Sequence, residues 1–144
     1  MIFAMDSAIY TKNISEFEDN SLLIVDDDNP FRERLSRAME KKGFKVTQAE
    51  GVKKAVDLIR LTKPSFVVID LRLNDGNGLE VVKELEDINS NSRIVMLTGY
   101  GNIPTAVSAI KHGAIDYLAK PADADDVEKA LLADPKTKAQ PPEN

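Results

Sequence analysis

The sequence predicts an α/β domain, a (βα)5 doubly wound fold with a five-stranded parallel sheet and helices on both faces. Three observations lead there. LLIV at 22–25, FVVI at 66–69 and IVML at 94–97 are short, unbroken apolar runs, the pattern of parallel strands covered on both sides. The stretches between them carry apolar residues at helical spacing. Caps and breakers fall where strands and helices should change over.

Taken in order, LLIVD (22–26) is the first strand. Asn29 and Pro30 read as N-cap and first residue of a helix. Phe31, Leu35, Ala38 and Met39 form its inner stripe, and Gly43 supplies the stop. FKVTQA is a weaker second strand, followed by a helix with Val52, Ala55, Val56 and Ile59 on one face. Pro64 ends that helix and FVVID (66–70) is the third strand. RLNDGNG reads as a turn-rich loop, leading to a helix with Leu79, Val82, Leu85 and Ile88. RIVMLTG is the fourth strand, and Gly99-Tyr100-Gly101 a loop. TAVSAIKHG is a short helix closed by Gly113, AIDYLAKP the fifth strand, and DADDVEKALLA the last helix with Asp123 as N-cap.

Composition bounds the function. A chain of 144 residues, 42% hydrophobic and 30% charged, fits one domain with a real core. Residues 1–20 hold Asp6, Glu16, Glu18 and Asp19 against one Lys12 with little apolar periodicity, and are expected to be flexible or a loosely docked extra turn. Residues 21–133 hold the alternating pattern. Residues 134–144, DPKTKAQPPEN, have linker composition, expected to join a C-terminal output domain absent from this sequence. The absence of cysteine removes disulfides, thiolate metal sites and a thiol nucleophile. A net charge of −5 argues against this piece gripping nucleic acid by itself. No apolar run is long enough for a membrane span, and the start lacks the features of a signal peptide, so a cytoplasmic protein is expected.

The strand ends carry the chemistry. The first strand runs into Asp26, Asp27 and Asp28, the third ends on Asp70, the fourth on Thr98, and the fifth on Lys120-Pro121. In a parallel sheet these ends meet at one edge, where such folds bind ligands. Carboxylates ~5 Å apart at an effective dielectric of about 20 repel by roughly 3 kcal/mol per pair. A magnesium ion, which favours carboxylates, water and phosphate oxygen, would offset that. The plainer alternative is that these acids merely cap helices.

LLIVDDDNPFRERL, VVIDLRLNDGNGLEVV, MLTGYG and DYLAKP together resemble the motif set of the response-regulator receiver domain over residues 21–133. TGYGNI and AIDYLAKPADADDV resemble most the RegA/PrrA/ActR group of redox-responsive regulators, and PPEN the hinge before that group's DNA-binding domain. The resemblance implies a flavodoxin-like sheet of order 2-1-3-4-5. It implies that Asp70 takes a phosphoryl group from a histidine kinase. Asp27, Asp70 and the backbone carbonyl of Arg72 would then bind Mg2+, with Asp26 acting mostly through water. Lys120 would pair with Asp70 and later with the phosphoryl group. Thr98 and Tyr117 would be the switch pair, altering the last helix-strand-helix face, through which a homodimer is expected. DNA would be met only through the absent domain.

Asn74 departs from the proline often found there in the family, implying a less rigid loop. Tyr117 also reads as an ordinary half-buried strand tyrosine, and His112 as a surface or cap residue. Arg32, Arg34, Arg37, Lys41 and Lys42 read as a solvated face of the first helix. Asp123, Asp125 and Asp126 read as first-turn acids rather than a metal site. Three alternatives stay open: a stand-alone receiver or phosphate sink, an Mg-dependent aspartate phosphohydrolase, and a nucleotide- or flavin-binding module. Arg72 stands where the hydrolase would need an acid, and Asp27-Asp28-Asn29-Pro30 where the nucleotide module would need glycines. Enzymatic turnover beyond self-phosphorylation and self-dephosphorylation is therefore not expected.

Overall fold

A computed structural model describes residues 14–99 and 103–133. Tyr100 and the segments 1–13 and 134–144 lie outside the described residues, and with them the expected linker and most of the expected leader. Five strands form one sheet: β1 (Ser21–Val25), β2 (Lys45–Ala49), β3 (Phe66–Asp70), β4 (Arg93–Thr98) and β5 (Ala114–Ala119). They alternate with α1 (Asn29–Lys41), α2 (Val52–Thr62), α3 (Gly78–Ile88), α4 (Ile103–Lys111) and α5 (Ala124–Leu132). The sheet is wholly parallel, in the order β2-β1-β3-β4-β5, as expected.

Period-two alternation divides each apolar run between two cores. Leu23, Val25, Val67, Ile69, Ile94 and Met96 share one cluster with Ala55 and Ile59 of α2, Val81, Val82 and Leu85 of α3, and Ala109 of α4. Leu22, Ile24, Phe66, Val68, Val95 and Leu97 share the other with Leu35 and Met39 of α1 and Val127 and Leu131 of α5. Because both faces are covered, the strands show no polar alternation.

Helix starts differ from expectation in instructive ways. Asp28, not Asn29, caps α1: its Oδ1 accepts from Phe31 N at 3.1 Å. Asn29 is already occupied, its Oδ1 accepting from Arg32 Nη1 at 2.7 Å. Asp123 caps α5 as expected, accepting from Asp126 N at 2.9 Å. The α4 helix begins at Ile103, two residues before the expected Thr105. The stretch read as a loop at 72–77 folds into a small antiparallel hairpin, Arg72 opposite Asn77 and Leu73 opposite Gly76.

Of the expected leader, residues 14–20 form a docked turn, the second of the two forms expected. Ile14–Glu16 form a 3-10 turn, Ile14 is buried, and the Phe17 ring meets Phe66 edge-on at 5.3 Å. Asn20 Nδ2 donates to the Gly43 carbonyl at 2.9 Å, so this segment seals the amino end of the sheet. Arg93 completes that seal. Its guanidinium lies 5.4 Å from the Phe17 ring centre and donates to the carbonyls of Leu131 and Ala133, closing the end of α5.

Candidate functional site

Strand register assembles the site. Val25 of β1 pairs with Ile69 of β3, so Asp26 and Asp70, one residue further on each strand, emerge side by side. Asp70 lies opposite Leu97 of β4, and Thr98 opposite Ala119 of β5, which places Thr98 and Lys120 at the same edge. Residues scattered over nearly a hundred positions thus meet where the strands end.

Lys120 is the hub. Its Nζ donates to Asp26 Oδ2 at 2.9 Å and to Asp70 Oδ2 at 3.3 Å, and lies 4.9 Å from the centre of the Phe31 ring. Asp26 is fully buried, and its Oδ1 also accepts from Asp28 N at 2.9 Å. Carboxylate oxygens of Asp26, Asp27 and Asp70 all lie within 4.8 Å of one another. Thr98 is buried; its backbone carbonyl accepts from Lys120 N at 2.9 Å, while its hydroxyl has only a long contact, 3.5 Å, to the Leu118 carbonyl.

One ammonium serving two carboxylates leaves a charge imbalance. Burial, and then the charge of Asp26, push the Asp70 carboxyl up to about 6, with Lys120 pulling the other way. Burial works against the Lys120 charge, yet its hydrogen bond to Asp26 and the charge of Asp70 outweigh that and raise it. The shorter contact goes to Asp26, so Asp70 is the acid left under-compensated. Three hard oxygen donors around that deficit are the donor set a divalent cation favours. A carboxylate that is 7% exposed and flanked by an ammonium and a loosely held hydroxyl is suited to receive a phosphoryl group.

The hairpin beyond Asp70 is tightly folded. Gly78 N donates to the Leu71 carbonyl at 2.7 Å, and a Cβ on Gly78 would stand 2.3 Å from the Asp70 carbonyl oxygen. Any side chain there would force the loop off the end of β3. Asn77 and Glu80 form a reciprocal capping box at the start of α3. Asn74 thus stands at the turn of a paired hairpin rather than in an open loop. Arg72 lies on the hairpin's first strand with its side chain exposed. Tyr117, in register with Met96, is half-buried against the cluster that includes α3 and α4 residues.

Sequence reasoning missed one residue of this edge. Arg32 was assigned to the solvated face, but it is buried. Its Nη1 donates to the Asp26 carbonyl at 2.8 Å and its Nε to Gln48 Oε1 at 2.9 Å, bracing the acidic loop from beneath. A signal existed: Arg32, Leu35, Ser36 and Met39 are the buried residues of α1, at helical spacing. Lys42 also departs from a purely solvated role, pairing with Asp125 at 2.6 Å and Glu128 at 3.1 Å. Arg34, Arg37 and Lys41 are exposed, as expected. His112 Nδ1 lies 3.0 Å from Glu86 Oε1 and takes no part in the edge.

Residues 22–132 match the family described as response regulator receiver domain. The chain is 56% identical over 126 residues to the photosynthetic apparatus regulatory protein RegA of Rhodobacter capsulatus, covering 88% of this chain and 68% of that protein. It is 53% identical to the acid tolerance regulatory protein ActR of Rhizobium meliloti (strain 1021), covering 88% and 65% respectively, so it spans about two thirds of the length of these curated relatives. Its fold is similar to a crystal structure of a response regulator protein from Burkholderia pseudomallei with a phosphorylated aspartic acid, calcium ion and citrate. The TM-score is 0.74 at 39% identity, with 80% of this chain and 67% of that chain covered.

Proposed function

The chain belongs to the response regulator receiver domain family, the receiving half of two-component signalling, and we propose that Asp70 is the residue that accepts the phosphoryl group. The carrying observation is the contact of Asp70 with Lys120 at the edge where Asp26 and Asp27 converge. A carboxylate oxygen of Asp70 attacks phosphorus as the bond to the donor kinase's histidine nitrogen breaks. An acyl phosphate forms and the imidazole leaves with the bond's electron pair.

The carboxylates of Asp27 and Asp70 and the carbonyl of Arg72 would hold Mg2+ directly, with Asp26 acting mostly through water; the ion when bound supplies positive charge against the incoming phosphate. Calcium, present in the Burkholderia structure, is the larger ion of the same hard-oxygen chemistry. Lys120 holds Asp70 at rest and a phosphoryl oxygen afterwards. The Thr98 hydroxyl, held only by its 3.5 Å contact, turns to the phosphate, and Tyr117 follows into the space it leaves. This repacks α4, β5 and α5, the face through which we propose a homodimer forms. Transfer is stoichiometric, without turnover of a released substrate beyond loss of the phosphoryl group to water.

Among the described residues no helix is long and apolar enough to cross a membrane. We assign the protein to the cytoplasm, facing a sensor kinase. Following RegA and ActR, we propose that residues 134–144 link the receiver to a DNA-binding output domain governing transcription in a redox response.

The test is incubation with a small phosphodonor and Mg2+, followed by intact mass. The wild type should gain one phosphoryl group and Asp70→Asn none. Equal gain by both would overturn the assignment.

A further inference from the structure

The α2 helix begins without a cap of its own. Its N-cap is Gly51, in extended backbone at φ −162°, with no side chain to accept from the first turn. The cap comes from a distant segment. Asp75, at the tip of the 72–77 hairpin, accepts from Val52 N through Oδ1 at 2.7 Å and from Lys53 N through Oδ2 at 3.1 Å. A Cβ on Gly51 would stand 2.5 Å from Asp75 Oδ1, so the Asp75 carboxylate occupies the space a local cap would use. These two N–H groups are the main reason its carboxyl is held below the usual range.

The hairpin needs such a mooring. It has two residue pairs, far short of what stands alone in water. Its base is fixed against Asp70 through Gly78, and its end by the bond from Asn77 N to Glu80 Oε2 at 2.9 Å. Its tip is held by Asp75. Arg72, whose carbonyl belongs to the cation site proposed above, forms the outer pair of this hairpin with Asn77, two residues beyond Asp70.

We propose that Asp75 is a positioning residue for that site, tying the hairpin to the first turn of α2 so that the Arg72 carbonyl is preset beside Asp70 for a divalent cation. The inference rests on the reading of the acidic edge as a Mg2+ and phosphoryl site. Residues that hold metal ligands in place typically matter about 10- to 100-fold in metal affinity. At the lower end, Asp75→Ala should weaken Mg2+ binding about 10-fold.

Loss of the α2 cap and loss of the mooring can be separated. In Gly51→Ser/Asp75→Ala the serine caps α2 locally, in space the missing carboxylate has vacated, but nothing ties the hairpin. The experiment is calorimetric titration of Mg2+ alone into wild type, Asp75→Ala and the double variant, with a urea midpoint for each. The expected result is that Asp75→Ala loses both stability and affinity, while the double variant regains its midpoint and stays weak for Mg2+. If Asp75→Ala does not fold, the double variant against wild type carries the comparison. Wild-type affinity in the double variant, or in a folded Asp75→Ala, would overturn the proposal and leave Asp75 a helix cap only. A wild type that binds no Mg2+ would instead sink the reading of the edge, and this inference with it.

Discussion

Two aspartates at opposite ends of one sheet meet opposite fates. Asp19, at the amino end, accepts from Ser65 Oγ at 2.8 Å, Ser21 Oγ at 3.0 Å and Ser21 N at 3.1 Å. The Ser65 hydroxyl above all holds its carboxyl below the usual range. Asp70, at the carboxyl end, is crowded by burial and by a second acid, and is pushed up to about 6. Neutral donors satisfy Asp19; the other end gathers like charges around the Lys120 ammonium. An acid whose surroundings satisfy it stitches chain segments together, whereas one left in deficit has something to gain from a cation or a phosphate.

The contrast can be broken most forcefully at Arg32. Arg32→Ala removes a buried cation and leaves the Asp26 carbonyl and Gln48 without their donor. It should cost about 2–4 kcal/mol in urea unfolding. A cost no greater than that of an exposed substitution would show that the acidic edge needs no brace.

Next in size is Asp70→Asn, which should stabilise the metal-free protein by about 1–3 kcal/mol at neutral pH, because the ionised form is the one the fold disfavours. The sign in pH follows. With a folded value of about 6 against an ordinary 3.8, this group binds a proton on folding between those values. Its contribution to stability is therefore fullest in acid and is lost as pH rises through about 6. Urea midpoints of wild type and Asp70→Asn in chelator should lie closest in acid and separate as pH rises; parallel curves would contradict the deficit.

The smallest effect is expected at Asp19. Asp19→Ala should destabilise by about 1 kcal/mol near neutrality, the scale of its hydrogen bonds. Its lowered carboxyl gives the reverse dependence on pH, with the penalty fading as acid protonates it. A stabilising Asp19→Ala would erase the difference between the two ends.

What the sequence discloses of all this follows physical range. The strands were legible because LLIV, FVVI and IVML are buried on both sides and need no partner to be recognised. The edge was legible because parallel topology brings Asp26, Asp70, Thr98 and Lys120 together whatever the loops do. The α1 cap was misplaced by one residue because Asn29, an equally good cap, is engaged by Arg32. The 72–77 hairpin was hidden because RLNDGNG lacks the alternation of a strand. Asp75 was invisible as a cap because its partners lie 22 and 23 positions away. Docking of Ile14 and Phe17 depends on the far face of Phe66, which no local pattern reports.

The order β2-β1-β3-β4-β5 has a consequence in time as well as in space. Asp26 and Asp70 become neighbours only when β1 and β3 pair across the intervening β2 crossover, and Lys120 arrives with the strand at the opposite border. A copy still emerging or half unravelled therefore has its acids dispersed and its amine elsewhere. The acidic edge is thus a property of the completed sheet, not of any one segment of it.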